Sequence, residues 1–249
     1  MTSRVKVTVS KGIASVALTR GERHNAVDIA MFDQLTTAID QLGDDPDLRA
    51  VVIYGEGPSF CSGLDVNAVR NDGATIDDLL GSINSSGANR AQWAAYGWTQ
   101  LAVPVIAALH GHCLGAGMQI ALAADIRFGA PDIRLSVSEI HYGLIPDMGL
   151  SQTLPRLMRA DVAKELIWSG RIVEVDEALR LGLITTIDAN PVAAALNLAY
   201  QVSLQPPGAI AAAKALVNNG WHASAAGGLG IEELLQRRLF SSSGLNTEC

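Results

Sequence analysis

The chain is poor in aromatic residues, in cysteine and in long apolar runs. Phenylalanine, tryptophan and tyrosine make up 5% of its 249 residues, although 49% are hydrophobic. The small residues that dominate let helices and strands approach closely, which favours a layered α/β protein. The three cysteines show no paired CxxC spacing, which indicates reduced thiols. The longest strongly apolar run, residues 101–109, is interrupted by Pro104 and is shorter than the roughly 20 residues that span a bilayer.

Positive charge is also scarce. The chain has 18 lysines and arginines against 25 aspartates and glutamates, a formal net charge of −7. Nucleic acid binding requires a basic surface, so we exclude nucleic acid as the main partner, while a small anionic ligand needs only a few local cations. The first residues lead directly into an alternating strand pattern, which predicts no signal peptide. We therefore expect a cytoplasmic protein that does not enter a membrane.

Several common functional motifs are missing. The dinucleotide-binding pattern GxGxxG fails because Ile120 stands where its third glycine would be, and no GxxxxGK[ST] phosphate loop occurs. Residues 57–61 lack the second glycine of a GxSxG nucleophile elbow. His110 and His112 flank a turn without a neighbouring cysteine or carboxylate pair, so we predict no metal site.

Segments with strand and helix periodicity alternate along the chain. Two period-2 segments around Lys11 and Gly12 predict a β-hairpin, and an apolar helical stripe ends at Gly43. Further strands are predicted at 50–54, 105–109, 125–129, 133–137 and 184–187, and helices at 90–101, 118–124, 191–204, 208–219 and 228–240. This order predicts a largely parallel sheet with crossover helices. We assign residues 1–190 to an α/β core and residues 191–249 to a helical region.

Two glycine-containing loops, residues 55–65 and 110–119, each follow a predicted buried strand and precede a helical pattern. The first N–H groups of a helix have no partner within the helix, and the helix dipole favours negative charge there. Two such termini facing each other can bind one oxyanion. Glycines that merely form tight strand-to-helix turns are the ordinary alternative, and the residues alone leave both interpretations open.

An ordered set of segments resembles the crotonase superfamily, the enoyl-CoA hydratase/isomerase family. The likeness lies in residues 20–26 (RGERHNA), 60–65 (FCSGLD), 104–111 (PVIAALHG), 115–127 (GAGMQIALAADIR) and 139–149 (EIHYGLIPDMG). The resemblance implies a repeated ββα spiral core with a helical C-terminal oligomerisation region, in a homotrimer or homohexamer. It also implies an acyl-CoA thioester as ligand, with no cofactor beyond the coenzyme A that is part of the substrate.

The same resemblance assigns roles to individual residues. The backbone N–H groups of Leu64 and Ala116 match the two donors of the family's oxyanion hole. Further substrate contacts are implied for Arg23, Ser62, Gly63, Gly115, Gly117 and Tyr142.

The chain departs from the hydratase pattern at the positions of the catalytic carboxylates. The family's two hydratase glutamates correspond to Gln119 and Glu139, and hydration divides its proton transfers between two acids. A neutral amide at Gln119 can orient water but cannot accept its proton. Asp147 lies eight residues after Glu139, a spacing similar to that of dienoyl-CoA isomerases, although those enzymes carry an aspartate where this chain has Gln119. Without the resemblance, Glu139 is an ordinary solvated loop residue and Asp147 a turn or cap residue.

Three functions follow as hypotheses. The first is an enoyl-CoA or dienoyl-CoA isomerase in which Glu139 moves a proton and Asp147 assists. The second is a 2-enoyl-CoA hydratase in which Gln119 or Asp147 holds water for Glu139. The third is a non-catalytic acyl-CoA binding protein. The presence of Glu139 favours an enzyme, and the amide at Gln119 favours the isomerase.

Overall fold

A computed structural model describes residues 3–71, 76–81 and 83–242. Its strands are β1 (Val5–Ser10), β2 (Ile13–Leu18), β3 (Ala50–Gly55), β4 (Val105–Leu109), β5 (His112–Leu114), β6 (Ile126–Gly129), β7 (Arg134–Ser136), β8 (Val173–Glu174) and β9 (Thr186–Ile187). Its α-helices are α1 (Ile29–Gly43), α2 (Val66–Asn71), α3 (Ile76–Leu80), α4 (Arg90–Tyr96), α5 (Ala116–Leu122), α6 (Leu150–Thr153), α7 (Ala160–Ser169), α8 (Val175–Arg180), α9 (Pro191–Ser203), α10 (Pro207–Gly220) and α11 (Ala225–Ser242).

Two sheets organise the chain. The larger has six strands in the order β1-β2-β3-β4-β6-β9, and only the β1–β2 hairpin is antiparallel. The smaller has three strands in the order β5-β7-β8, with β5 and β7 parallel. Since β4 lies in the larger sheet and β5 in the smaller, the chain changes sheets at Gly111, where φ is +55°. The predicted α/β class with a mainly parallel sheet is confirmed.

The central strands are buried on both faces, which explains their lack of alternation. One face carries the main core, where Phe32, Leu35 and Ile39 of α1 pack among buried residues that include Trp98. The opposite face of β3 and β4 packs against Ala195 and Ala199 of α9. Helix α9 therefore covers the sheet, while α10 and α11 pack against each other. The division at residue 190 stays a prediction.

Three elements differ from the expected ones. Residues 112–114, expected within a turn, form β5 because they pair with β7. Helix α5 begins at Ala116 rather than at residue 118, and β8 is an unexpected two-residue strand beside β7. In the part of the chain that is described, no helix is long and apolar enough to cross a membrane.

Candidate active site

Backbone hydrogen bonds to Val27 hold the first glycine loop on one side, and an ion pair between Asp65 and Arg20 holds it on the other. The Val27 N–H donates to the Gly63 carbonyl at 2.8 Å, and the Asp65 N–H donates to the Val27 carbonyl at 2.9 Å. The Asp65 carboxylate accepts from the Ala68 N–H at 2.9 Å and pairs with Arg20 at 2.8 Å. Burial alone would raise the pKa of Asp65, but these hydrogen bonds and the nearby positive charge hold it below its ordinary value. The backbone of Leu64 is thus fixed from both ends.

The second loop ends in helix α5, whose first turn requires two glycines. Gly115 has a φ of +50° and its N–H donates to the Ser136 carbonyl at 2.9 Å. A Cβ at Gly115 would lie 3.0 Å from Ser138 Oγ, and one at Gly117 would lie 2.5 Å from the Cys61 carbonyl oxygen. The glycines therefore allow α5 to begin close to the first loop and to the segment that carries Glu139.

Backbone hydrogen bonds join the two loops directly. The Cys61 N–H donates to the His112 carbonyl at 2.9 Å, and the Leu114 N–H donates to the Cys61 carbonyl at 3.0 Å. A Cβ built on Gly63 would lie 3.8 Å from the Ala116 nitrogen. Among the described residues, neither the Leu64 N–H nor the Ala116 N–H has a hydrogen-bond acceptor. Two unpaired backbone donors therefore lie on neighbouring loops.

Both donors line a cavity of about 560 Å³. Most of its wall is apolar, with Phe32, Val66, Leu79, Leu80, Ala91, Leu144, Ile145, Met148 and Ile172 among the lining residues. Its polar wall includes Ser62, Gln119, Ser138, Glu139, His141, Tyr142 and Asp147. An apolar cleft with a few convergent polar groups is the usual form of a small-molecule site.

Gln119 and Glu139 form a hydrogen-bonded pair inside this cavity. Gln119, only 2% exposed, donates through Nε2 to Glu139 Oε1 at 2.7 Å, and its Oε1 accepts from the Met148 N–H at 2.8 Å. The second oxygen of Glu139, Oε2, is buried without a hydrogen-bond partner among the described residues. Since buried polar atoms are nearly always satisfied, this oxygen is available to a bound molecule.

Charge and burial both affect the Glu139 carboxyl. Burial raises the pKa of Glu139 above its ordinary value, and the nearby negative charge of Asp147 raises it further. Hydrogen bonds from its own backbone N–H and from Gln119 oppose this shift. Asp147 lines the same cavity, and its side chain reaches solvent. The protein around its carboxyl group removes part of its hydration, which raises the pKa of Asp147. The site therefore holds one enclosed carboxyl and one at the solvent boundary.

The remaining predicted contact residues fall into two groups. Ser62, Gly63, Gly115 and Tyr142 line the cavity together with the two donors. Gly117 and Arg23 are not among the lining residues, and Gly117, in the first turn of α5, packs against Cys61. Arg23 is solvent-exposed and contributes to the low pKa of Asp65, which places it beside the first loop.

Some supporting residues had no assigned role in the sequence. Asn25, fully buried, donates through Nδ2 to the carbonyls of Glu56 and Ser59 at 2.9 and 2.8 Å, which holds the first loop. Met148 orients Gln119 through its backbone alone, so no side-chain pattern could have indicated it. The role of Asn25 was weakly indicated in the sequence, since Asn25 lies within one of the segments that carry the family resemblance.

The two described cysteines, Cys61 and Cys113, are buried thiols. Burial raises the pKa of the Cys61 thiol to about 12 and that of Cys113 well above its usual range, so both are inert packing residues. Cys249 lies outside the described residues. Among those that are described, no group of three or more histidine, cysteine, aspartate or glutamate side chains is arranged to hold a metal ion.

Comparisons with known proteins agree with this geometry. The family model described as enoyl-CoA hydratase/isomerase matches residues 8–247. The mitochondrial methylglutaconyl-CoA hydratase of Mus musculus is 32% identical over 241 residues, covering 94% of this chain and 74% of that protein. The mitochondrial delta(3,5)-delta(2,4)-dienoyl-CoA isomerase of Mus musculus is 31% identical over 226 residues, covering 84% and 67%.

A solved structure extends the likeness to the fold. The crystal structure of an enoyl-CoA hydratase from Bacillus anthracis is 27% identical, with a TM-score of 0.84 over 94% of this chain and 90% of that one. The expected crotonase-like fold is therefore confirmed. On the family match and the shared fold together, this chain belongs to the enoyl-CoA hydratase/isomerase family of the crotonase superfamily and is an acyl-CoA enzyme of that family.

Proposed function

We propose that the protein moves a carbon–carbon double bond within an enoyl-CoA or dienoyl-CoA thioester, with Glu139 as the proton shuttle. The observation that supports this reaction best is the pairing of Gln119 with Glu139. It leaves a single enclosed carboxyl group in the site, with one oxygen bonded to the protein and the other unoccupied.

The reaction begins at the thioester carbonyl. Its oxygen accepts hydrogen bonds from the N–H groups of Leu64 and Ala116, which stabilise the negative charge that develops there. Glu139 Oε2 removes a proton from C2 of a 3-enoyl thioester. The electron pair of the broken C–H bond forms a dienolate, whose negative charge is shared between the carbonyl oxygen, C2 and C4. The protonated Glu139 then returns the proton at C4. The double bond has moved from C3–C4 to C2–C3, with no net gain or loss of atoms.

A conjugated 3,5-dienoyl thioester requires the proton to be returned farther along the chain. Asp147, on the same cavity as Glu139, is the second acid that we assign to this step. The raised pKa of both carboxyl groups suits this role, because a proton carrier works best when its pKa lies near the working pH.

A 2-enoyl-CoA hydratase is the second candidate, and it is favoured by the hydratase name of the mouse relative. Against it, both ends of the Gln119 amide are already bonded to the protein, at Glu139 and at the Met148 N–H. The second Nε2–H of Gln119 can still donate to a water molecule, but the neutral amide cannot accept that water's proton. Hydration would depend on Asp147 for the second proton transfer.

The test is a parallel incubation with 2-enoyl-, 3-enoyl- and 3,5-dienoyl-CoA, with products identified by chromatography and mass spectrometry. We expect conversion of the 3-enoyl or dienoyl substrate at unchanged mass. Addition of one water to the 2-enoyl substrate as the main reaction would instead make the protein a hydratase. Binding of all three without any turnover would make it an acyl-CoA binding protein.

The assembly and location implied by the family resemblance are part of the same proposal. A homotrimer or homohexamer is expected, and light scattering on the purified protein measures its mass. A cytoplasmic location and independence of added cofactors remain predictions.

A further inference from the structure

The cavity that we propose to receive the acyl group is lined by two acidic side chains. Glu139 and Asp147 both line it, whereas no lysine or arginine does so among the side chains that the structure describes. We infer that the protein is selective for acyl-CoA thioesters whose acyl chain is uncharged, and that it rejects acyl chains ending in a carboxylate. This inference rests on the proposed binding of the acyl group in this cavity.

The basic residues nearest to the wall in sequence are already paired. Arg171 stands between the lining residues Gly170 and Ile172, and its guanidinium contacts Glu165 at 2.7 Å and Glu177 at 2.8 Å. Arg90 precedes the lining residue Ala91 and is paired with Asp33. Neither cation is free to turn towards a bound carboxylate without leaving a carboxylate partner behind.

The other polar groups of the wall do not replace a lysine or an arginine. The Ser136 hydroxyl donates to the Gly170 carbonyl at 2.7 Å, and His141 Nε2 lies 3.1 Å from the same oxygen. Ser62, Ser138 and Tyr142 offer hydroxyl groups but no charge. A carboxylate enclosed here would lose its hydration and find no lysine or arginine partner among the described side chains, beside two groups of its own sign.

The inference separates this chain from one of its relatives. The mouse protein at 32% identity is named for methylglutaconyl-CoA, whose acyl group ends in a free carboxylate. The wall of the present cavity favours instead a chain that is apolar to its end, because most of the wall surface is apolar.

Binding of two saturated thioesters with equal carbon number tests the selectivity. Hexanoyl-CoA and adipoyl-CoA differ in the terminal carboxylate and cannot undergo double-bond migration, so calorimetric titration measures selectivity independently of turnover. We expect hexanoyl-CoA to bind about 30-fold more tightly than adipoyl-CoA, equivalent to about 2 kcal/mol. This is the repulsion between the terminal carboxylate and one negative charge at about 8 Å, in a medium of effective dielectric constant about 20.

A charge placed on the wall provides the complementary test. Leu80 lines the cavity and is 41% exposed, so Leu80→Arg introduces a cation without burying it. We expect this variant to lower the ratio of the affinities for hexanoyl-CoA and adipoyl-CoA at least threefold. The matched control is Leu179→Arg on α8, where the leucine is also 41% exposed and is not among the lining residues; it should leave the preference unchanged.

The outcomes separate this inference from the proposed reaction. Equal or tighter binding of adipoyl-CoA by the wild-type protein overturns the inference, whatever the variants do. Failure of double-bond migration with the preference intact overturns only the proposed reaction. Failure of the wild-type protein to bind either thioester overturns the inference, whereas the parallel incubation decides the proposed reaction.

Discussion

Replacing Gln119 by glutamate is the sharpest single test of the Gln119–Glu139 contact. The substitution changes an N–H···O hydrogen bond of 2.7 Å into a contact between two carboxylates, at a position that is 2% exposed. Two carboxylates so close cannot both ionise at neutral pH, so the pair holds one shared proton and titrates in two steps. The variant therefore acquires a carboxyl group whose pKa in the folded state is raised.

The size of the effect follows from the distance. With charge centres about 4 Å apart and an effective dielectric constant of about 20, the repulsion is about 4 kcal/mol. The unfolded chain loses this proton at the ordinary pKa of a glutamate, whereas the folded protein keeps it to a higher pH, because the repulsion raises the pKa of the pair. Relative to wild type, the free energy of unfolding of Gln119→Glu should therefore fall as pH rises, by up to about 4 kcal/mol at pH 8.

Urea unfolding at several pH values measures this difference for the variant and for wild type. The control is Gln152→Glu, which makes the same chemical change at an exposed glutamine and should show no such trend. A stability difference that does not depend on pH would refute the close contact between residues 119 and 139. If the fold is intact, we also expect Gln119→Glu to add water to a 2-enoyl-CoA faster than wild type, since the second carboxylate is restored.

Three further predictions concern the site and its support. Glu139→Gln should lower kcat for double-bond migration by about 10²- to 10⁴-fold, with acyl-CoA affinity changed only a few-fold, because it removes the proton carrier and keeps the shape. Asp147→Asn should move the acidic limb of kcat/KM to lower pH, because the loss of its negative charge lowers the raised pKa of Glu139, which must be ionised to accept a proton. Gly117→Ala should destabilise the fold by about 1–3 kcal/mol, because its Cβ would lie 2.5 Å from the Cys61 carbonyl oxygen.

Simple measurements check these three outcomes. Steady-state kinetics and calorimetric titration of Glu139→Gln decide the first, and full activity would remove Glu139 from the mechanism. The pH profile of Asp161→Asn, which alters a solvent-exposed aspartate, is the control for Asp147→Asn, and a limb that stays in place would show that Asp147 does not act on Glu139. Denaturant unfolding of Gly117→Ala at wild-type stability would contradict the tight packing of α5.

The sequence indicated the large elements because their patterns are local. The hairpin needs only the alternation around Lys11 and Gly12, and α1 needs only its apolar stripe and the Asp28 side chain, which accepts from the Met31 N–H at 2.9 Å. By contrast, β5 and β8 have three and two residues, too few for any period to be recognised. They exist because β7 supplies hydrogen-bond partners from elsewhere in the chain.

The site was predictable to the level of residues but not of their contacts. Gln119 and Glu139 stood out through the family resemblance, while their mutual hydrogen bond depends on how α5 packs against the segment after β7. The bond from the Met148 N–H to Gln119 joins residues 29 positions apart. Every residue except proline has a backbone N–H, so the residue type at this position does not indicate the bond. The start of α5 at Ala116 was missed because Gly115 caps it through a positive φ rather than through a side chain.

The direct joining of the two glycine loops has a consequence for variation of this protein. Cys61 exchanges backbone hydrogen bonds with His112 and Leu114, so the spacing of the Leu64 and Ala116 donors is set by main-chain atoms before any ligand arrives. Other side chains that line the cavity, such as Leu80 and Ile145, take no part in that linkage and are exposed to solvent. New acyl specificities can therefore evolve or be engineered at those side chains, while the distance between the Leu64 and Ala116 donors stays the same.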